Sequence, residues 1–370
     1  MNLNAEKTEN DLMDLYELTK LLPKDIDGGI IESAAARQYF TGFASDSGYL
    51  IVSKNGNVFL TDSRYIEAAQ AKIDCCDVVL LTDAKVQIPK YLKKFNCSSV
   101  AIEANHVTVS GLREYSKMFK PDEIKAVFDS RFDKYIRYLR CTKKAEEIKC
   151  IKAAQAIAQA AYDNAVRYIK PGMTEKEVAL ALDFHMLRNG AEKVSFDTIV
   201  VSGKNSSLPH GVPSDKRIEF GDFVTMDFGA VVNGYHSDMT RTVAIGEASD
   251  EMAEIYSVVL EAQTAAIEKA AQGVVCKELD ATARNIIRDA GYGQFFGHST
   301  GHGVGIEVHE DPHVTPRSEY ILRAGNIITV EPGIYIPDKF GVRIEDMLLI
   351  TADGCENLTS TPKELMVINN

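Results

Sequence analysis

Phe223-Val-Thr-Met-Asp227-Phe-Gly-Ala-Val-Val-Asn233-Gly234-Tyr-His-Ser-Asp238-Met-Thr-Arg-Thr242 reads as two strand-like runs hinged at an Asn-Gly turn. Asn-Gly between such runs is the strongest short hairpin signal, because both central residues of the tight turn need positive φ. A two-residue turn sets Asp227 opposite Thr240 and leaves Asp238 one pleat from Thr240 on the same face. The two carboxylates are then diagonal neighbours, roughly 7–8 Å apart at the backbone and nearer at their oxygens. An isolated Asp is ordinarily a surface or capping residue. Asp227 instead follows Phe223, Val224 and Met226 in an apolar run, where a bare carboxylate is costly unless paired or metal-bound. Two such acids on one face call for a shared cation.

Two further stretches carry the same kind of signal. In Gly297-His298-Ser-Thr-Gly-His302-Gly-Val-Gly-Ile-Glu-Val-His309-Glu310, and on to His313, half of the chain's eight histidines fall among glycines that let backbone and ligand approach closely. In Ile327-Ile-Thr-Val-Glu331-Pro-Gly-Ile-Tyr-Ile336 and Gly341-Val-Arg343-Ile-Glu345-Asp-Met-Leu-Leu-Ile350, each glutamate sits in an apolar β-type run. A hairpin centred on Asp338 sets Glu331 against Glu345, and like charges directly opposed destabilise a strand pair. A dication between them relieves both burial and repulsion.

Asp227, Asp238, Glu331, Glu345 and one imidazole make a mostly hard-oxygen donor set. It suits Mn²⁺ or Co²⁺, or Fe²⁺ or Zn²⁺, rather than a thiolate zinc site or a calcium cage. Four carboxylates exceed what one dication balances, so the consistent solution is a pair of ions ~3.5–4 Å apart. A water between two dications loses its proton near neutral pH, and the expected chemistry is amide hydrolysis.

Around these segments the chain divides near residue 140. Residues 1–139 alternate short β runs (48–53, 58–61, 77–81, 99–103) with a lysine-rich amphipathic stretch at 88–95, which reads as an α/β domain. Residues 140–370 open with a helical period from about 145 to 169, stopped by Pro171-Gly172. A second helix starts at the capping box Thr174/Glu177, and further helices are expected near 250–271 and 277–290. With hairpin patterns between them, this part reads as antiparallel sheet covered by helices. No short-period repeat is visible.

Composition excludes more than it selects. The net charge of −12 argues against gripping nucleic acid or an anionic membrane. Seven scattered cysteines without a C-x-x-C pair read as free thiols of a reducing compartment, and no window of ~18 apolar residues could span a bilayer. A soluble cytoplasmic protein is expected.

The ligand segments, together with Phe196-Asp-Thr-Ile-Val-Val-Ser-Gly203 and Leu208-Pro-His210-Gly211, resemble the pita-bread metallopeptidase family, which holds methionine aminopeptidase, aminopeptidase P and prolidase. The resemblance spans about 140 to 360 and implies an α+β pita-bread catalytic domain behind an α/β N-terminal domain of the creatinase/aminopeptidase P kind. It implies that Asp227 chelates one of two divalent ions, Mn²⁺ first, with Co²⁺ or Zn²⁺ as alternatives. Asp238 and Glu345 would bridge the ions, and His302 and Glu331 would complete the other. It further implies Glu331 as general base and His210 and His309 as residues lining substrate and stabilising the tetrahedral intermediate. His298 would stand near the pocket for the residue after the cut, and Arg343 beside the centre.

Tyr39-Phe-Thr-Gly-Phe43 and Thr61-Asp-Ser-Arg-Tyr65 resemble the N-terminal domain of aminopeptidase P, prolidase and creatinase, which implies cleavage of Xaa-Pro bonds and a homodimer or higher homo-oligomer. These motifs read more like short bacterial aminopeptidases P, so an Xaa-Pro aminopeptidase is the main expectation and an Xaa-Pro dipeptidase the alternative. A dipeptidase needs a cation for the free proline carboxylate. Arg317 could provide it, or could be a solvated loop residue. Creatinase works without metal and lacks this carboxylate set. Relatives that have become non-catalytic binding modules have lost ligands, whereas all five stand here.

Overall fold

The computed structural model describes residues 14–369, which separate into two compact units, one reaching to Arg140 and the other running from Cys141. Among the described residues, no helix is long and apolar enough to cross a membrane.

The first unit is built on a mixed sheet ordered β4-β3-β2-β1-β5-β6. Its strands are β1 (Gly28–Ile31), β2 (Tyr49–Ser53), β3 (Val58–Thr61), β4 (Asp77–Leu80), β5 (Ser99–Ile102) and β6 (Lys125–Val127). β1 pairs antiparallel with β2 and parallel with β5, and the helices Ala84–Lys94 and Val109–Phe119 cover one face. Their apolar stripes, Ile88, Leu92, Tyr115 and Phe119, pack on Ile30, Ile51, Val58, Leu60, Val100 and Ile102. The sequence patterning marked β2 to β5 and the lysine-rich helix. It missed β1, whose Gly28-Gly29 start is poor strand material. Gly29 is required there, because a Cβ would fall 2.3 Å from the Phe132 ring.

The second unit holds two helix pairs, Ala145–Ala165 with Glu175–Arg188 and Asp250–Lys269 with Cys276–Asp289, each over its own sheet. The first sheet is ordered β20-β12-β9-β8, from β8 (Ile199–Ser202), β9 (Phe223–Phe228), β12 (Met239–Ile245) and β20 (Met366–Ile368). The second is ordered β14-β13-β15-β18-β19, from β13 (Gly301–Gly303), β14 (Glu310–Val314), β15 (Ile327–Val330), β18 (Asp346–Ile350) and β19 (Cys355–Asn357). Smaller ladders join β10 (Ala230–Val232) to β7 (Lys193–Val194) and β11 (Tyr235–His236), and β16 (Gly333–Ile336) to β17 (Phe340–Arg343).

The two halves repeat one another. Gly172 N donates to Ile218 O and Glu175 N to Lys216 O; Gly273 N donates to Leu322 O and Cys276 N to Tyr320 O. The bridges Thr174↔Arg217 and Val275↔Ile321 are the same feature twice. The sequence trace is faint: Gly172-Met-Thr-Glu-Lys-Glu177 against Gly273-Val-Val-Cys-Lys-Glu278. A repeat of roughly a hundred residues with so few identities lies outside any short-period search.

Candidate metal centre

Each half contributes one long hairpin, and the first changes sheets at Asp238, the second at Glu331 and Glu345. In the first, Asp227 pairs with Thr240 and Val232 with Tyr235, so one register runs through both ladders. The ladders part at Gly229, whose missing Cβ would lie 1.9 Å from Ser237 O, beside Asp238. In the second, Val330 pairs with Asp346 and Gly333 with Arg343, again one register, and the gap between the ladders holds Glu331 and Glu345. The sequence reading anticipated both registers. At such a break the side chains are released from strict in-and-out alternation and can converge.

Asp238, His302 and Glu345 converge most closely, with one donor atom of each within 4.8 Å of the others. His302 Nε2 lies 3.5 Å from Asp238 Oδ2 and 3.4 Å from Glu331 Oε1. The His302 Nδ1–H donates to the Gly303 carbonyl at 3.0 Å, which fixes the tautomer and points the Nε2 lone pair at the acids. Asp227 Oδ1, Asp238 Oδ1 and Glu345 Oε1 are buried with no hydrogen-bond partner. Buried acceptors are rarely left so, and three orphaned carboxylate oxygens beside a free imidazole nitrogen are what a metal site presents.

The electrostatics agree. Burial, reinforced for Asp238 by Glu345 and for Glu345 by Glu331, holds both carboxyls well above the ordinary carboxylate range. Burial pushes Glu331 up to about 7 against the opposing pull of Arg343. Burial, with His309 beside it, pushes His302 down to about 3, so the ring is neutral. A cluster that resists its own ionisation is stabilised by added positive charge.

Arg343 is the organic cation of the site. Its Nη2 meets Asp227 Oδ2 at 2.5 Å, Nε donates to Thr240 Oγ1 at 3.1 Å, and Nη1 donates to the Tyr335 hydroxyl at 2.8 Å and to Pro209 O at 3.2 Å. Thr240 in turn donates to Glu345 Oε2 at 2.7 Å. Behind them Arg241, 1% exposed, donates to the carbonyls of Thr240 and Glu345 and pairs with Asp346 at 2.7 Å. Asp280 accepts from Thr300 N and Oγ1 and pairs with Arg284, which reaches the carbonyls of Phe296 and His298 and so sets the histidine segment. Thr240, Tyr335, Arg241 and Asp280 were not picked from the sequence. Each sits next to a marked residue or in an amphipathic helix, and only the long-range partner reveals its task.

The remaining histidines divide. His309 stands edge-on to His302 with ring centroids 4.3 Å apart, and burial lowers its pKa. His210 is exposed on the 203–213 segment, near enough for its charge to act on both His298 and His309. His298 has both nitrogens engaged, Nδ1 with Ser299 O and Nε2 with the Tyr335 hydroxyl at 2.9 Å, so it forms a wall rather than a free donor. Arg317 is exposed in the turn after β14.

Residues 149–352 match metallopeptidase family M24, and residues 18–131 match the creatinase/prolidase N-terminal domain. The Xaa-Pro dipeptidase of Pyrococcus furiosus is 40% identical over 95% of this chain and 99% of its own. An Xaa-Pro dipeptidase from Bacillus anthracis superposes with a TM-score of 0.92, at 40% identity over 97% of this chain and all of that one. An X-Pro aminopeptidase from Thermotoga maritima gives 0.85, at 40% identity over 93% and 98%.

Proposed function

The chain belongs to metallopeptidase family M24, with a creatinase/prolidase N-terminal domain ahead of a pita-bread catalytic domain, and on that premise we propose that it hydrolyses Xaa-Pro bonds at a dinuclear metal centre, as an Xaa-Pro dipeptidase. The observation that carries the reading is the convergence of Asp227, Asp238, His302, Glu331 and Glu345 with three carboxylate oxygens orphaned. These five residues would hold two divalent ions, with Mn²⁺ first for this donor set. When bound, the ions supply Lewis acidity and lower the pKa of water.

The protein's own groups do the rest. Glu331 would take a proton from the attacking water and pass it to the leaving proline nitrogen. His210 and His309 donate hydrogen bonds to the developing oxyanion, each worth about 2.7–4 kcal/mol when well placed. Arg343 and Tyr335 hold Asp227 and His298 still while this happens.

The dipeptidase choice replaces the aminopeptidase expected from the N-terminal motifs. The Pyrococcus and Bacillus anthracis relatives support it, and the Thermotoga protein at equal identity keeps the aminopeptidase as the second reading. Arg317, exposed in the turn after β14, is the cation this reading would assign to the proline carboxylate. The test is turnover of Ala-Pro against Ala-Pro-Ala by the metal-reconstituted protein. Hydrolysis of the dipeptide alone supports the proposal, hydrolysis of the tripeptide supports the second reading, and turnover of neither refutes both.

A further inference from the structure

Glu175 is the first residue of the helix Glu175–Arg188 and is fully buried. A carboxylate at a helix start normally stays in solvent, where it favours the helix dipole. This helix has no need of it as a cap: Thr174 and Glu177 form a complete capping box. Instead the Glu175 carboxylate reaches out of the helix and gathers five donor groups. Ser202 N and Oγ donate to Oε1 at 2.6 and 2.9 Å, Asn205 Nδ2 donates to both oxygens at 3.1 and 3.3 Å, and Ser214 N and Oγ donate to Oε2 at 3.0 and 2.6 Å. Among the described residues no ammonium or guanidinium pairs with it directly. The nearest compensation is Lys216, which donates to Ser202 Oγ at 3.1 Å and to Asp222 at 2.6 Å.

Ser202 and Ser214 are the two feet of the segment that carries His210. Its crest is exposed, with Leu208 56% and Val212 81% accessible, yet it touches the ligand hairpin at two points. Ser206 Oγ accepts from Gly341 N at 2.9 Å, and Pro209 O accepts from Arg343 Nη1 at 3.2 Å. One buried charge therefore fixes both ends of a loop whose middle meets the guanidinium holding Asp227.

The repeated half provides an internal control. Cys276 occupies the position equivalent to Glu175, with the same backbone bond across to the following segment. A neutral side chain serves there, its thiol hydrogen-bonded to Ser318, the counterpart of Ser214, whereas the carboxylate gathers Ser202, Asn205 and Ser214 together. We propose that Glu175 is a positioning residue: it sets the height and tilt of His210 over the substrate by tying Ser202, Asn205 and Ser214 to one point. The proposal rests on the peptidase reading for His210's task, while the tether itself does not.

The test combines hydrogen exchange with a double-mutant cycle. Glu175→Gln keeps the shape but turns one acceptor into a donor facing donors. Amides of residues 203–214 should exchange at least about tenfold faster, with metal content unchanged. The specificity constant kcat/KM on an Xaa-Pro substrate should fall about tenfold to a hundredfold, the cost of a small misplacement. In a His210→Ala background the same change should cost no more than about twofold. Ser214→Ala, which removes one hydroxyl donor, should show the same pattern more weakly and serves if Glu175→Gln does not fold. Unchanged exchange at 203–214, loss of metal in a folded variant, or losses that multiply in the double mutant would each overturn the proposal. If the wild-type protein turns over no Xaa-Pro substrate the peptidase reading fails, and exchange alone still decides whether Glu175 tethers the loop.

Discussion

Replacing Glu331 by Gln should stabilise the metal-free protein. The carboxyl titrates near 4.5 in an unfolded chain and is pushed by burial to about 7 in the fold. A carboxyl whose pKa is raised by folding costs nothing below the unfolded value, where it is protonated in both states. The cost grows as pH rises from there and is complete above the folded value. At 1.36 kcal/mol per pH unit the interval corresponds to about 3 kcal/mol. Gln is neutral throughout and can still accept from Thr329, which now donates to Glu331 Oε1 at 3.3 Å. Chelated wild-type and Glu331→Gln proteins should therefore unfold at nearly the same urea concentration at pH 4.5. At pH 8 the variant should be more stable by about 3 kcal/mol, or about 6–12 °C in melting temperature for a unit of this size. Adding Mn²⁺ at pH 8 should reverse the order, because the wild type gains an anionic ligand's worth of binding and the variant does not. Equal stability at pH 8, or a difference independent of pH, would show that Glu331 is not a strained carboxylate and would remove the electrostatic case for a metal there.

Asp238→Ala should lower bound metal, measured by elemental analysis after reconstitution, from near two equivalents to one or fewer, and activity should fall with it. Arg343→Lys keeps the charge but cannot span Asp227, Thr240, Tyr335 and Pro209 O at once, and should cost about 2–4 kcal/mol in urea unfolding. Arg317→Ala should raise KM for Ala-Pro while leaving kcat nearly unchanged, and should leave a C-terminally amidated Ala-Pro unaffected; equal effects on both would refute a role in holding the carboxylate. Metal titration by calorimetry in buffers of different ionisation enthalpy should show more protons released at pH 6 than at pH 9, since Glu331 is pushed up to about 7 in the metal-free fold.

The converging acids were legible because acids in apolar β runs are rare, and a hairpin's register follows from its turn. Asn233-Gly234 alone sufficed to set Asp227 opposite Thr240. The helices of the second unit were legible through period and caps, and Thr174 with Glu177 bounded one of them correctly. What escaped was the layer one bond further out. Glu175 lies between the two capping residues and reads as an ordinary first-turn acid. Its partners are 27 to 39 residues away along the chain, and no local pattern encodes such a pairing. Arg241 and Asp280 escaped for the same reason. The choice between dipeptidase and aminopeptidase escaped differently: it depends on what receives a carboxylate, and Arg317 has the same sequence signature whether it binds one or merely faces water.

Burying four acids together would unfold most domains, and the seams explain why this one tolerates them. Had Asp238, Glu331 and Glu345 lain inside continuous ladders, as Asp227 does between Ile199 and Thr240, alternation would have fixed their directions and the backbone could not have adjusted to the mutual repulsion. Where each hairpin passes from one sheet to another, the register is kept while the ladder is interrupted. The strands are still positioned by pairs on either side, and the acids at the gap are free to converge. One guanidinium cannot neutralise all four. Arg343 meets Asp227 directly, Thr240 and Thr329 give hydroxyls to Glu345 and Glu331, and the rest of the repulsion is met by retained protons. Metal binding at this site would therefore be an exchange of protons for dications on a scaffold already held in register. Gly229, Arg241 and Asp280 hold that scaffold without touching the cluster's orphaned oxygens, which leaves those oxygens to the ions the site would hold.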